Sequence, residues 1–369
     1  MKRIVLICFG LLAAVCFCAL PVHAEEVQAE IYEDSGADRL REALPEEARF
    51  LLDEAGVSPE PGRQGDALGF LSALADGVRE SFTEPLRALV LLLAVVVLCR
   101  IVAELASDGL THTVGLCAAL GAAGVLLPPL AGLIGKASAV TEAIGVFLLA
   151  AVPVYAGLLV TAGNAVTGAT YGALTLAAAN GVSALTVNLF VPLLRVFLAL
   201  SAVSSVTSFD LKKMTDALYK LLKWALVLAV TVFTGILSVQ TLVSAQSDAV
   251  TGKAARMIAS SAIPIVGGAF GDAFSVLGAS IGMIKSGVGA FGILASLAIF
   301  LPLCLQAAVW LGVCFLSSLA AELFSLSKLA AFLDGCATAL KLLLAVVFSI
   351  GAVSVVSAAV VLCVRGAYA

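Results

Sequence analysis

The chain has 369 residues, of which 61% are hydrophobic and 12% charged, with a formal net charge of −4 and a mean hydropathy of +1.11. Soluble domains carry about twice that charged fraction, so these polar side chains cannot cover a surface in water and lipid must solvate most of the chain. Backbone inside a bilayer is satisfied only in helices and closed barrels. Barrel strands alternate in polarity over about ten residues, whereas Leu86–Cys99 and Leu340–Val364 are unbroken apolar runs. The expected fold is therefore all-α and polytopic, with about seven or eight spans.

Met1-Lys2-Arg3 followed by the apolar run Ile4–Leu20 reads as a signal peptide, residues 1–24. Val22 and Ala24 satisfy the small-residue rule for cleavage after Ala24. Residues 25–85 then hold 16 of the 25 acidic residues and only 5 of the 21 basic ones. They form an acidic extracytoplasmic region, unsuited to nucleic acid, which needs a basic face. Within it, Pro45–Ala55 reads as a short helix with Ala48, Leu51, Leu52 and Ala55 on one face and Gly56 at its end. Leu68–Phe82 carries Phe70, Leu71, Leu74, Val78 and Phe82 on one stripe, and either lies along the membrane surface or pairs as a small soluble helix.

Residues 86–369 form the transmembrane domain. A span needs about 20 mostly apolar residues. Leu86–Ala106, Thr113–Ile134 and Val140–Ala162 meet that length, the last two separated by a short turn at Lys136. Tyr171–Ser208 is too long for one ordinary span; Asn180-Gly181 and Pro192 suggest a hairpin of two short helices, with one long kinked helix as the alternative. Asp210–Lys223, with Lys212, Lys213, Lys220 and Lys223, is the most basic loop, and the positive-inside rule assigns it to the cytoplasm. An N-terminus outside requires an odd number of spans before that loop, which five spans satisfy. Trp224–Ala245 leads back out. Met257–Gly287 is apolar but interrupted by Pro264, Gly267, Gly268, Gly271, Gly278 and Gly282, the pattern of a broken or re-entrant segment (257–287) that needs protein or a water-filled cavity around it. Phe291–Ser318 and Leu340–Val364 complete the spans.

No nucleotide, metal or hydrolytic motif is present, and no cofactor is expected. After cleavage His112 is the sole histidine, in a loop, and the scattered cysteines read as small core residues. Ionisable groups at membrane depth are functional hypotheses by default, which singles out Glu142, Arg195, Asp272 and Lys285. Against that, Glu142 can reach headgroups, Arg195 can snorkel or pair, and Asp272 and Lys285 can cap broken helices. Gly168/Gly172, Gly267/Gly271 and Gly278/Gly282 have the spacing that lets helix backbones meet closely.

Three adjoining segments are distinctive: GILSVQ at Gly235–Gln240, SDAVTGKAA at Ser247–Ala255 and IPIVGGAFGDA at Ile263–Ala273. They resemble the stage III sporulation protein AE family. The resemblance implies a non-enzymatic, multi-pass subunit of a channel or secretion-like complex in the mother-cell membrane around the forespore. Its implied partners are the other stage III subunits, including ring-forming proteins and a sister ATPase, and a forespore membrane protein. The acidic region would face the inter-membrane space. The family supplies no catalytic residues to carry over. The competing reading is a stand-alone secondary transporter, in which the broken segment would have an inverted counterpart; no convincing internal repeat is visible.

Overall fold

The computed structural model describes residues 36–59, 67–80, 82–105, 111–207, 211, 213–233, 235 and 267–363; for 67, 68, 78, 80, 111, 112, 267–281, 283 and 363 it gives the helical backbone alone. The signal peptide, Pro264 and the Ser247–Ala255 loop lie outside the described residues. Every regular element described is helical: α1 Asp38–Glu42, α2 Glu46–Glu54, α3 Ala67–Glu80, α4 Thr83–Leu105, α5 Thr111–Thr161, α6 Ala165–Leu185, a π-turn Thr186–Phe190, α7 Val191–Val206, α8 at 213–233, α9 Gly267–Leu323 and α10 Ser327–Cys363. Five stretches among the described residues are long and apolar enough to cross a membrane. The molecule is a polytopic helical membrane protein.

The acidic helices form as their sequence dictates. Pro45 precedes α2, whose buried residues are Ala48, Leu51 and Leu52. Gly56 ends it in the left-handed region at φ +65, and Val57 N–H returns to the Leu52 carbonyl at 2.8 Å. That reversal favours glycine because a Cβ is strained there. Arg49 donates to the Glu42 carbonyl at 3.0 Å, and Arg41 pairs with Asp53 at 2.6 Å, tying α1 to α2. On α3, Phe70 and Leu74 are buried, while Leu71 is exposed. α2 and α3 pack on each other and on α9, and α1 packs on α5. The acidic helices are thus seated on the long helices, and α3 is engaged by protein.

The long helices depart from the expected boundaries. α5 is one continuous helix of 51 residues containing Pro128, Pro129 and Pro153, so the expected turn at Lys136 is absent. A lone charged residue does not interrupt a helix when its side chain can point outward, and Lys136 is exposed. The Tyr171–Ser208 hairpin is likewise replaced by one continuous stretch, Ala165–Val206. Asn180 and Gly181 lie on its exposed face, and Pro192 sits at the start of α7 directly after the π-turn. The wider π-turn locally relaxes the i→i−4 ladder, so a residue without an N–H follows it at little cost. The 267–287 part of the expected broken segment is unbroken helix, continuous with the next span in α9.

Tight reversals connect these helices. Asn164 N–H bonds the Leu159 carbonyl at 2.9 Å, with Gly163 at φ +86. Leu326 N–H bonds the Ala321 carbonyl at 2.9 Å, with Ser325 at φ 59. The count before residues 208–212 falls from the expected five traversals to three: α4, α5 and α6–α7. Two pairs of spans merged, so the count stays odd and Thr207 and Leu211 still lie at the opposite end of the bundle from the acidic helices.

α9 and α10 form the central antiparallel pair, with α5 and α7 against α10, α6 against α5, and α4 outermost against α5 and α9. The buried segment of α9 carries Phe291, Phe300, Trp310 and Cys314. Cys304 and Cys336 are also buried, as expected for core residues, but Cys117 is exposed.

Candidate functional site: a glycine and hydroxyl seam with a polar belt

Close helix contacts concentrate where α9 meets α10 and α5. A Cβ on Gly351 would stand 2.5 Å from Phe300 Cδ1, and Phe300 is held edge-on to Phe348 with centroids 5.9 Å apart. A Cβ on Gly289 would stand 2.8 Å from Leu362 Cγ, and one on Gly292 would land on Tyr155 Oη. Gly335 plays the same part against Ser201, at 2.7 Å from its Cβ. These four glycines let backbones approach in the manner of small-residue membrane interfaces.

Hydroxyls cross-link the same seam. Ser296 and Ser354 share a hydrogen bond of 2.6 Å, and Ser296 also donates to the Gly292 carbonyl at 2.7 Å. Tyr171 Oη donates to the Ser357 carbonyl at 3.0 Å and meets the Ser357 hydroxyl. The Tyr155 and Tyr171 rings lie 6.5 Å apart and tilted. Tyr155 Oη is buried and makes no hydrogen bond among the described residues. Interhelical hydroxyl bonds of this kind each contribute about 0.6 kcal/mol in membrane proteins. The seam fixes helix position; nothing in it is arranged as a nucleophile with a base.

The residues singled out from sequence separate. Gly168 does seat α6 on α5: a Cβ there would stand 2.7 Å from Val160 Cγ2 and 2.8 Å from the Ala156 carbonyl. Gly172 is in ordinary contact with Ala156 Cβ, at 3.6 Å. Gly282, in contrast, makes no close helix contact among the described residues. Gly267, Gly268, Gly271 and Asp272 lie in the first turns of α9, where only the backbone is described. Lys285 is 5% exposed and sits inside α9, not at a helix end, which removes the expected capping role. The acidic region reaches this level, because a Cβ on Gly287 would be 3.8 Å from the Pro59 carbonyl.

Arg195 belongs to a second feature. Its Nη2 lies 4.0 Å from the Cβ position of Gly135, beside Lys136, whose Nζ donates to Gln306 Oε1 at 3.1 Å. Lys136 and Arg195 are exposed, as is Glu142 two turns further along α5. This polar belt crosses α5 at mid-length, α7 near its start and α9 in its second half. Periodicity alone missed it, because it appears only when three helices are aligned side by side. Among the described residues no group of three His, Cys, Asp or Glu could hold a metal.

The family model for stage III sporulation protein AE matches residues 64–365. The chain belongs to the stage III sporulation protein AE family. Stage III sporulation protein AE of Bacillus subtilis (strain 168) is 32% identical over 149 residues, which cover 40% of this chain and 37% of that relative. The aligned part thus spans well under half of either AE protein. No solved structure matches. The family match takes in the belt, the seam and α3–α10, and leaves α1 and α2 outside it.

Proposed function

We propose that this AE-family chain is a non-enzymatic membrane subunit of the channel or secretion-like complex that links mother cell and forespore, required for spore development after engulfment. The family match over residues 64–365 carries the reading. The structure supports it by what it offers chemically: a rigid helical scaffold locked by glycine contacts and hydroxyl bonds, with broad apolar faces. The chain has no phosphate-binding glycine loop followed by Lys-Ser/Thr, so energy comes from a partner, the sister ATPase of the complex.

The mother-cell membrane around the forespore is the proposed location. Lys213, Lys220 and Lys223 are exposed and follow the end of the bundle remote from the acidic helices, so the positive-inside rule favours the cytoplasm for them. The acidic helices then face the inter-membrane space, where the ring-forming subunits and the forespore partner would meet them. An in-frame deletion in the sporulating host, complemented by the intact chain, tests the reading. Arrest after engulfment, relieved by complementation, is the expected result. Normal spores accompanied by a defect in solute uptake would overturn it and favour a stand-alone transporter.

A further inference from the structure

The long helices exceed any bilayer. At 1.5 Å per residue, the 51 residues of α5 extend about 76 Å and the 57 of α9 about 85 Å. A hydrocarbon core is about 30 Å thick, and tilts rarely exceed about 40°. At 40° a 30 Å slab takes up only about 26 residues. Roughly half of each helix must therefore lie outside the hydrocarbon, although charges are few in both: Lys136 and Glu142 in α5, and Asp272, Lys285 and Glu322 in α9.

Three sets of contacts decide which half. First, α4 is 23 residues long, close to one bilayer crossing, and is the least buried of the candidate spans; Val90, Leu98, Ile101 and Val102 project from it. Val95 Cγ1 stands 4.0 Å from the Cβ position of Gly121, so antiparallel packing puts Glu84 and Arg87 at the height of residues 129–132 of α5, one turn short of Lys136. Second, polar groups bound this lower tier on both sides. The belt of Lys136, Arg195 and Gln306 lies at one edge. At the other lie the Arg100–Glu104 pair, at 2.6 Å, and Lys328, whose Cβ is 4.0 Å from the Cβ position of Gly115. Residues 116–135 of α5 between these edges carry no charge and extend about 30 Å. Lys341 and Asp334 on α10 fall within the tier; Asp334 accepts a hydrogen bond from Ser318 at 2.8 Å, and Lys341 lies near enough to the belt to snorkel.

Third, the acidic helices flank the upper tier. α3 ends at Glu80, just before α4 begins at belt height, and α2 and α3 pack on α9, reaching the level of Gly287 through Pro59. Their outer faces carry exposed Glu46, Glu47, Asp53, Glu54 and Asp76. Carboxylates at that density do not enter hydrocarbon.

We infer that the bilayer embraces only the lower tier, with anionic lipid phosphates of one leaflet bound at Lys136 and Arg195, and that the upper tier stands outside the hydrocarbon. The upper halves of α5, α9 and α10, together with α6, are then an apolar helical pedestal bounded on one side by acidic helices. Val146, Leu149, Val160 and Leu185 on its open face contact no acyl chain. The inference does not depend on the proposed role in sporulation.

Two measurements on the full chain in phosphatidylglycerol–phosphatidylethanolamine vesicles test it. A phospholipid bearing a mid-chain photoactivatable diazirine is cross-linked to the unmodified protein and its adducts are mapped by mass spectrometry. Adducts confined to the lower tier, at 90–102 and 315–319, are expected; adducts at Val146, Leu149 or Leu185 would overturn the placement. Lys136→Gln and Arg195→Gln variants then bind anionic lipid about fivefold less tightly for each charge removed, while Lys136→Arg retains affinity. Equal retention of phosphatidylglycerol by all variants would overturn the phosphate assignment and leave the placement to the cross-linking result.

Discussion

Gly292 provides a sharp test of the seam, because Gly292→Ala places a methyl on Tyr155 Oη, 2.9 Å from Tyr155 Cζ and 3.1 Å from Ala358 Cβ. Tyr155 is fully buried. Overpacking of this kind costs about 1–3 kcal/mol, offset by up to about 1 kcal/mol of helix propensity gained over glycine. A methyl placed this close to a buried ring belongs to the upper part of that range, so Gly292→Ala is expected to destabilise by about 1–2 kcal/mol net. Tyr155→Phe removes a buried hydroxyl that makes no hydrogen bond among the described residues, and is expected to be neutral or stabilising by up to about 1 kcal/mol. The double variant recovers at least about 1 kcal/mol of the Gly292→Ala loss, because contacting residues couple on that scale. Reversible unfolding of the four proteins in a mixed detergent series gives the coupling directly. Strict additivity, or a Gly292→Ala protein as stable as the parent, would refute the packing described between α5 and α9.

Other outcomes are expected. Gly168→Leu strikes Val160 and the Ala156 carbonyl and should abolish the folded bundle, whereas Gly181→Leu, with nothing within 4 Å, should yield normal levels by size-exclusion chromatography in detergent. Arg41→Ala breaks an ion pair whose side chains are 49% and 44% exposed and should lower stability by no more than about 1 kcal/mol, measured by thermal unfolding; a larger loss would point to a further role. Cysteines at Lys213 or Lys220 should stay unlabelled by an impermeant thiol reagent added to intact cells, with a cysteine at Glu47 labelled; the inverse pattern would reverse the orientation. A clean preparation should not turn over ATP above a boiled control.

The acidic helices were legible for local reasons. The apolar face of Ala48, Leu51 and Leu52 and the glycine that ends α2 are encoded within a dozen residues. The span boundaries were less so. Asn180-Gly181 carries a strong turn signal in water, but on a helix face among other helices it costs too little to force a reversal. Lys136 looked like a break because its partner Gln306 is 170 positions away. Gly168 was found by spacing because its contacts lie on the preceding helix, whereas Gly292, Gly335 and Gly351 were missed. Their close neighbours are Tyr155, Ser201 and Phe300, and no short-range pattern reports them.

Composition and the unbroken apolar runs together determined that this chain is helical and needs lipid along part of its length, because so few charges cannot cover a surface in water. It also determined that an acidic segment stands apart from the apolar remainder, and the three GILSVQ, SDAVTGKAA and IPIVGGAFGDA segments carried the family. Hydropathy, however, records only that a residue avoids water. It does not distinguish burial in lipid from burial in protein. The alignment of α4 beside half of α5, and of the acidic helices beside the upper part of α9, separates the two environments, and only the tertiary structure supplies it.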